Sequence, residues 1–318
     1  MIYTEKELEK MAMPIGKSEE EKCKHAITMV KKELEPLGYY SSNDELRTIE
    51  GSFAFSSSLR NKNNSRELTL LVQGSYANKT NIPSESDVDV AVILESTFTT
   101  KYRDGITRDT YGFGVGTYSV LDLKTAVYNA LKDYCDDNGV ERHDKSIKVI
   151  GNTYRVDADV VPAYRYRNYE NDYLFKTANY VPGIEIKPDS GGSIINYPEL
   201  HIKNGIKKNK NTDYKFKRHV RIIKGMKEDM KNCGYAIPKS VSSFGLESLL
   251  WNIPDEVYGK YFSYRYVFEE LVDYLYNNLN KIFLFKEING MKYLFDERSE
   301  ADYKKFIQDL KGYYKYES

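Results

Sequence analysis

The chain is 318 residues long and has only three cysteines, four histidines and one tryptophan. Cys23, Cys135 and Cys233 lie far apart and form no Cys-x-x-Cys or Cys/His group, which excludes a zinc module and a disulfide framework and suits a reducing compartment. None of His25, His143, His201 or His219 falls in a ligand or nucleophile pattern, so all four are read as structural. Net charge is missing too. The 47 Lys and Arg residues balance 47 Asp and Glu, so no global field draws the chain to nucleic acid or to a membrane surface. No apolar run approaches the roughly 20 residues of a membrane span, and the opening MIYTEKELEK has no apolar segment of the signal-peptide kind. A cytoplasmic monomer is expected. Tyrosine, by contrast, is plentiful at 29 residues; it is read as scattered amphipathic packing rather than a stacking platform.

The stretch from Leu68 to Leu94 organises the rest. Leu68 to Val72 reads as an apolar strand, Gln73-Gly74-Ser75 as a turn, and Asp87-Val88-Asp89-Val90 as the start of a second strand. Side chains alternate along a strand, so Asp87 and Asp89 share a face opposite Val88, Val90 and Val92. Two carboxylates on one face repel unless cations lie between them, and a pair of divalent ions is the usual answer. Gly74 lets the backbone approach a phosphate, and the amides around Ser75 offer an anion site. A phosphate cradle followed by a metal-binding acid pair describes nucleotidyl transfer. Octahedral coordination needs ligands from another strand, and the alternating Tyr154 to Val161 segment supplies Asp157 and Asp159 on a common face.

Gly-Ser, eleven residues, Asp-Val-Asp, and later Asp-Val-Val-Pro-Ala resemble the polymerase-β-type nucleotidyltransferase superfamily. Within it, the pattern is similar to the bacterial CD-NTases, the cyclic GMP-AMP synthase/DncV-like cyclic-oligonucleotide synthases. That resemblance implies an α+β, bilobed fold: a mixed-sheet catalytic lobe with a long N-terminal helix, then an oligoadenylate-synthase-like helical lobe, with the active site in the cleft between them. The expected domains are 1–205 and 206–318. It implies two Mg²⁺ ions (Mn²⁺ in their place) on Asp87, Asp89 and Asp159, with Asp157 the alternative third ligand. The implied substrates are nucleoside triphosphates, namely ATP with UTP or GTP, bound at Gln73, Gly74 and Ser75. The implied product is a cyclic di- or trinucleotide that acts on a downstream effector in bacterial antiphage (CBASS) signalling. The alternatives are a linear-oligonucleotide or RNA-tailing enzyme and a non-catalytic nucleotide-binding module.

Further roles follow from the same likeness. Asn168 is a candidate base contact, since in some relatives an Asn in this neighbourhood accompanies pyrimidine use. A helix from about Asp213 to Lys231 carries a basic stripe, and its Lys224 is assigned to the β- and γ-phosphates, with Lys227 as the fallback. Ser243 is assigned to the triphosphate, although it or Ser242 also suits a helix cap. Helices are expected at Ser18 to Leu37 (with a Ser18–Glu21 capping box), Ser119 to Cys135, Pro238 to Trp251, Tyr261 to Ile282 and Glu300 to Tyr313. A strand hairpin is expected over Ser146 to Val161, a loop from Ser41 to Arg66, and short strands and loops from Pro162 to Lys210.

Overall fold

The computed structural model describes residues 2–41, 47–48, 52, 54–84, 87–135 and 139–316. Of the expected loop between Ser41 and Arg66, residues 42–46, 49–51 and 53 lie outside that set, and Phe55–Asn61 forms a strand rather than a loop. The chain divides into two compact units: Gly16–Ala77 with Ser86–Glu199, and Met1–Ile15 with Asn78–Glu85 and Leu200–Ser318. The boundary near 200 is close to the expected one. The sequence gives no sign, however, that the first fifteen residues and an eight-residue insert belong to the helical unit.

The first unit is a mixed sheet. Its strands run in the order Ile194–Asn196, Val181–Ile186, Ala158–Asn168, Val88–Lys101, Glu67–Gln73, Phe55–Asn61 and Tyr39–Ser41. Neighbours are antiparallel except the central pair, Val88–Lys101 and Ala158–Asn168, which run parallel. Val88, Val90 to Leu94, Ala158 and Val160 are buried, the near-continuous apolar run expected of strands covered on both faces. Helices Lys17–Lys32 and Val120–Tyr134 pack against this pair. The Ile147–Val149 strand pairs antiparallel with Ala158–Asn168, but residues 150–157 form the connection, so the second strand starts at Ala158 rather than at the expected Tyr154 and Asp157 precedes it.

Several boundaries differ from expectation. The first long helix begins at Lys17 after a Gly16 cap with no side-chain bond, so Ser18 lies inside the first turn and its capping box does not form. It ends at Lys32, because a residue before proline disfavours the helical region and Pro36 follows closely. The capping box that does form is Thr4 with Glu7: Glu7 N donates to Thr4 Oγ1 at 3.3 Å and Thr4 N to Glu7 Oε2 at 2.7 Å, opening helix Glu5–Ala12. In helix Val120–Tyr134, Ser119 caps as predicted and Leu123, Val127, Ala130 and Leu131 are buried, but Tyr134 is exposed. The tyrosines are also less scattered than they look. Tyr102, Tyr111, Tyr169 and Phe113 stack at ring separations of 4.5 to 5.9 Å beside the Lys101 end of the central strands.

The helical unit surrounds a core of Leu8, Phe216, Ile223, Met226, Leu249, Phe268, Leu271, Phe306 and Leu310. Helices Phe216–Asn232, Ser243–Trp251, Tyr264–Asn277 and Glu297–Tyr313 lie near their expected places. Helix Pro198–Asn211, read as loop from the sequence, is the main omission. Its buried positions are His201, Ile202, Gly205 and Lys208, so the helical period is there but is written mostly in polar residues.

His219 is buried in this unit and shares a 2.8 Å hydrogen bond with the Lys215 carbonyl, which only an Nδ1–H can donate. Burial pushes its pKa down to about 4. The folded state therefore holds the ring neutral while the unfolded chain protonates it below pH 6.5, so stability is lost as pH falls from 6.5 towards 4. Between pH 7 and pH 5 the loss from this residue is about 2 kcal/mol. Chemical denaturation of His219→Gln at the two pH values is expected to show a correspondingly smaller drop than the wild type.

Candidate active site

Strand register builds the site. Gln73 pairs with Asp89, Asp89 with Asp159 and Asp159 with Lys148. Residues in register on adjacent strands present their side chains on one face, roughly 4.8 Å apart per strand. The four side chains therefore form a row across the sheet, with Asp87 two residues before Asp89 and outside the strand proper. Asp87 is exposed, while Asp89 and Asp159 are half-buried.

Immediately after Gln73 the backbone turns at Gly74, where φ is +71°, into the short helix Gly74–Ala77. A side chain could not follow that turn. A Cβ built on Gly74 would overlap Asp89 Oδ2 and lie 2.9 Å from its Cγ. The glycine thus lets the acid and the Ser75 turn occupy adjoining space.

The two candidates for the third acid differ in their surroundings. Asp157 accepts from the Gly151 amide at 2.7 Å and pairs with Lys148 at 2.9 Å. Burial would raise its carboxyl, but that amide and ammonium outweigh burial and hold it below the ordinary range. Asp157 closes the hairpin turn. Asp159 is pushed the other way, first by burial and then by the negative charge of Asp87, with Lys148 offsetting part of the effect. Lys148 is a member of this constellation that the sequence reading missed; its alternation within Ser146 to Ile150 was the available signal.

The donor set suits a hard divalent cation. It is all oxygen, and burial, followed by the charge of Asp87, raises the Asp159 carboxyl, so a cation placed there would favour its ionised form. Among the described residues, no three His, Cys, Asp or Glu side chains already form a group that could hold a metal ion. Mg²⁺ characteristically takes one or two carboxylates and completes its octahedron with water and substrate phosphates.

The remaining assignments fare differently. Asn168 stands nine residues along the strand from Asp159, roughly 30 Å at strand rise, and the structure does not bring it to the acids. Its amide makes a local turn instead: Nδ2 donates to Glu170 Oε2 at 3.0 Å, and Oδ1 accepts from Glu170 N at 2.9 Å. In the helical unit, Ser242 rather than Ser243 is the cap, accepting from Gly245 N at 3.0 Å. Lys227 Nζ lies 3.5 Å from Ser243 Oγ. Lys224 is fully buried, with Nζ donating to the Thr80 carbonyl at 2.9 Å. Helical spacing could not tell these two lysines apart, because both lie on the buried side.

A sequence profile of the cGAS/DncV-like nucleotidyltransferase C-terminal helical domain matches residues 203–315. A cyclic GMP-AMP synthase, CdnE03, from Staphylococcus schleiferi is 40% identical over 99% of this chain and 98% of its own length. A cyclic dipyrimidine nucleotide synthase from Cecembia lonarensis is 34% identical over 92% of this chain and 91% of its own. Among solved structures, the Rhodothermus marinus c-UMP-AMP synthase with Apcpp and Upnpp superposes with a TM-score of 0.75 at 26% identity, covering 99% of both chains.

Proposed function

Since this chain belongs to the cGAS/DncV-like nucleotidyltransferases, a family of cyclic-nucleotide synthases that are generally divalent-metal dependent, we propose that it condenses ATP and GTP into a cyclic dinucleotide with release of pyrophosphate. The observation that carries this is the in-register Gln73–Asp89–Asp159–Lys148 row beside the Gly74-Ser75 turn. Full-length likeness to a cyclic GMP-AMP synthase supports the purine pair, as does the remoteness of Asn168, the residue tied to pyrimidine use. In bacterial antiphage signalling the product would switch on a cyclic-nucleotide-responsive effector.

Asp87, Asp89 and Asp159 would hold Mg²⁺. Held by these carboxylates, the ion would supply Lewis-acid activation of a ribose hydroxyl and charge neutralisation at the triphosphate. The chain supplies orientation and electrostatics. The turn at Gly74 and Ser75 presents backbone amides to a phosphate. Lys227 and Ser243 offer an ammonium and a hydroxyl to the β- and γ-phosphates; Lys224, committed to Thr80, is not assigned to them. Lys148 offsets part of the carboxylate charge and keeps Asp157 out of the ligand set.

The test is incubation with all four labelled ribonucleoside triphosphates and Mg²⁺ or Mn²⁺, phosphatase treatment and mass spectrometry, beside the Asp87→Ala, Asp89→Ala double variant. A phosphatase-resistant product with the mass of cyclic GMP-AMP, absent from the variant, is expected. A linear product would refute cyclisation, and another mass would refute the purine pair. Lys227→Ala is expected to raise the KM for nucleotide about tenfold, worth roughly 1.4 kcal/mol, while Lys227→Arg stays near the wild type in steady-state kinetics.

A further inference from the structure

Three residues after the Ser75 turn, the chain enters an interior full of charge. Thr80 is fully buried. Its Oγ1 donates to Glu247 Oε2 at 3.0 Å, and its carbonyl accepts from Lys224 Nζ at 2.9 Å. Glu247 is 1% exposed, and His201 Nε2 lies 3.2 Å from its Oε1 and 3.2 Å from Asn78 Nδ2. Arg221 donates from Nη1 to the Lys79 carbonyl and from Nε to the Ala12 carbonyl at 2.7 Å. Lys79 itself takes a left-handed φ of +56°, a conformation that non-glycine residues keep only when their surroundings impose it. Helix Pro198–Asn211 admits Asn78 closely, since a Cβ on Gly205 would stand 3.1 Å from Asn78 Oδ1. All of these groups belong to the helical unit.

Burying so many ionisable groups around three backbone residues is a poor way to gain stability. Apolar residues of similar volume usually do as well or better. A buried polar network, here Glu247 with Oε2 bonded to Thr80 and Oε1 facing His201, favours one conformation. Asn78 follows Ala77 directly, so once it is held, Ser75 is tied to it by three residues of chain, a reach of roughly 10 Å at most. On its other side the segment leads to Asp87.

We propose that Glu247, acting with Thr80, His201 and Lys224, is a positioning residue for nucleotidyl transfer: it fixes Asn78–Thr80, and through chain continuity it sets the Gly74-Ser75 turn. The inference rests on the nucleotidyl-transfer reading of the Asp89–Asp159 row. It gives a physical role to His201 and Glu247, neither of which the sequence singles out.

The experiment compares Thr80→Val, Thr80→Ser and Glu247→Gln in the full chain, measuring kcat and KM for each nucleotide on folded protein and hydrogen–deuterium exchange across residues 74–80. Thr80→Val is expected to lower kcat at least tenfold with KM changed less than threefold, and to speed exchange across 74–80. Thr80→Ser, which keeps the hydroxyl, is expected to restore both to within twofold of the wild type. Glu247→Gln should follow Thr80→Val, and if it does not fold, the two Thr80 variants decide. A merely structural role would lower the yield of folded protein and leave its kcat intact. Unchanged exchange at 74–80, or a Thr80→Val kcat within twofold of the wild type, overturns the proposal. A wild type that makes no product counts against the functional reading alone, and the exchange measurement, which needs no activity, then decides this one.

Discussion

Asp89→Asn and Asp159→Asn are each expected to reduce cyclic-nucleotide synthesis by about 10²–10³-fold, as loss of electrostatic stabilisation of the transition state does, and Asp159→Asn does so without lowering the melting temperature. The second half of that statement is the more discriminating. Asp159 is held where burial and the charge of Asp87 both oppose its ionisation, so a neutral amide of the same shape relieves repulsion rather than breaking a bond. Catalytic acids are commonly kept at a cost to the fold. Asp157→Asn should behave in the opposite way. It weakens the Lys148 pair and the bond to the Gly151 amide, lowering the melting temperature while leaving product formation within a few-fold of the wild type. Product by mass spectrometry and unfolding by scanning fluorimetry, run on all three variants, check this. A stable but inactive Asp157→Asn beside an active Asp159→Asn would exchange their roles.

Gly74→Ala is the second large effect. The added Cβ would fall on the Asp89 carboxylate, and the backbone there has a φ of +71°, which costs an alanine about 1–2 kcal/mol. Relieving the overlap moves either the turn or the acid. A displacement of that size costs about 10²-fold in rate where reacting groups must be aligned. Loss of activity on that scale, with destabilisation of about 1–2 kcal/mol, is expected. Gly114→Ala is the control, because no atom lies within 4 Å of its Cβ position, and it should match the wild type in both assays. An active Gly74→Ala enzyme would show that Asp89 does not need the position it occupies.

Much of the site was legible because it is written in strand periodicity. Asp-x-Asp with valines between puts both acids on one face where the segment is extended, and the apolar runs on either side call for a covered sheet. The pairing of Asp89 with Asp159 rather than Asp157 depends on register, and no local pattern states the register between strands separated by some 57 residues. Lys224 and Lys227 illustrate the same limit within one helix. Both lie on its buried side, and only the tertiary structure sets Lys224 on the carbonyl of Thr80, a residue distant in sequence, and Lys227 beside Ser243 and Glu228.

Helix Pro198–Asn211 and the Asn78–Glu85 insert were invisible for a related reason. Periodicity reveals burial only when the buried residues are apolar, and here the inward positions include His201, Gly205 and Lys208, together with Asn78 and Thr80. Such residues can be buried only where partners satisfy them, and those partners are supplied by other segments of the chain. The sheet, the acid pair, the glycine turn and the family likeness are all legible in alternation and short spacing along the chain. The register that sets Asp159 opposite Asp89, the bond from Lys224 to Thr80 and the polar strap around Thr80 belong to the tertiary structure, because each joins residues that the chain keeps far apart.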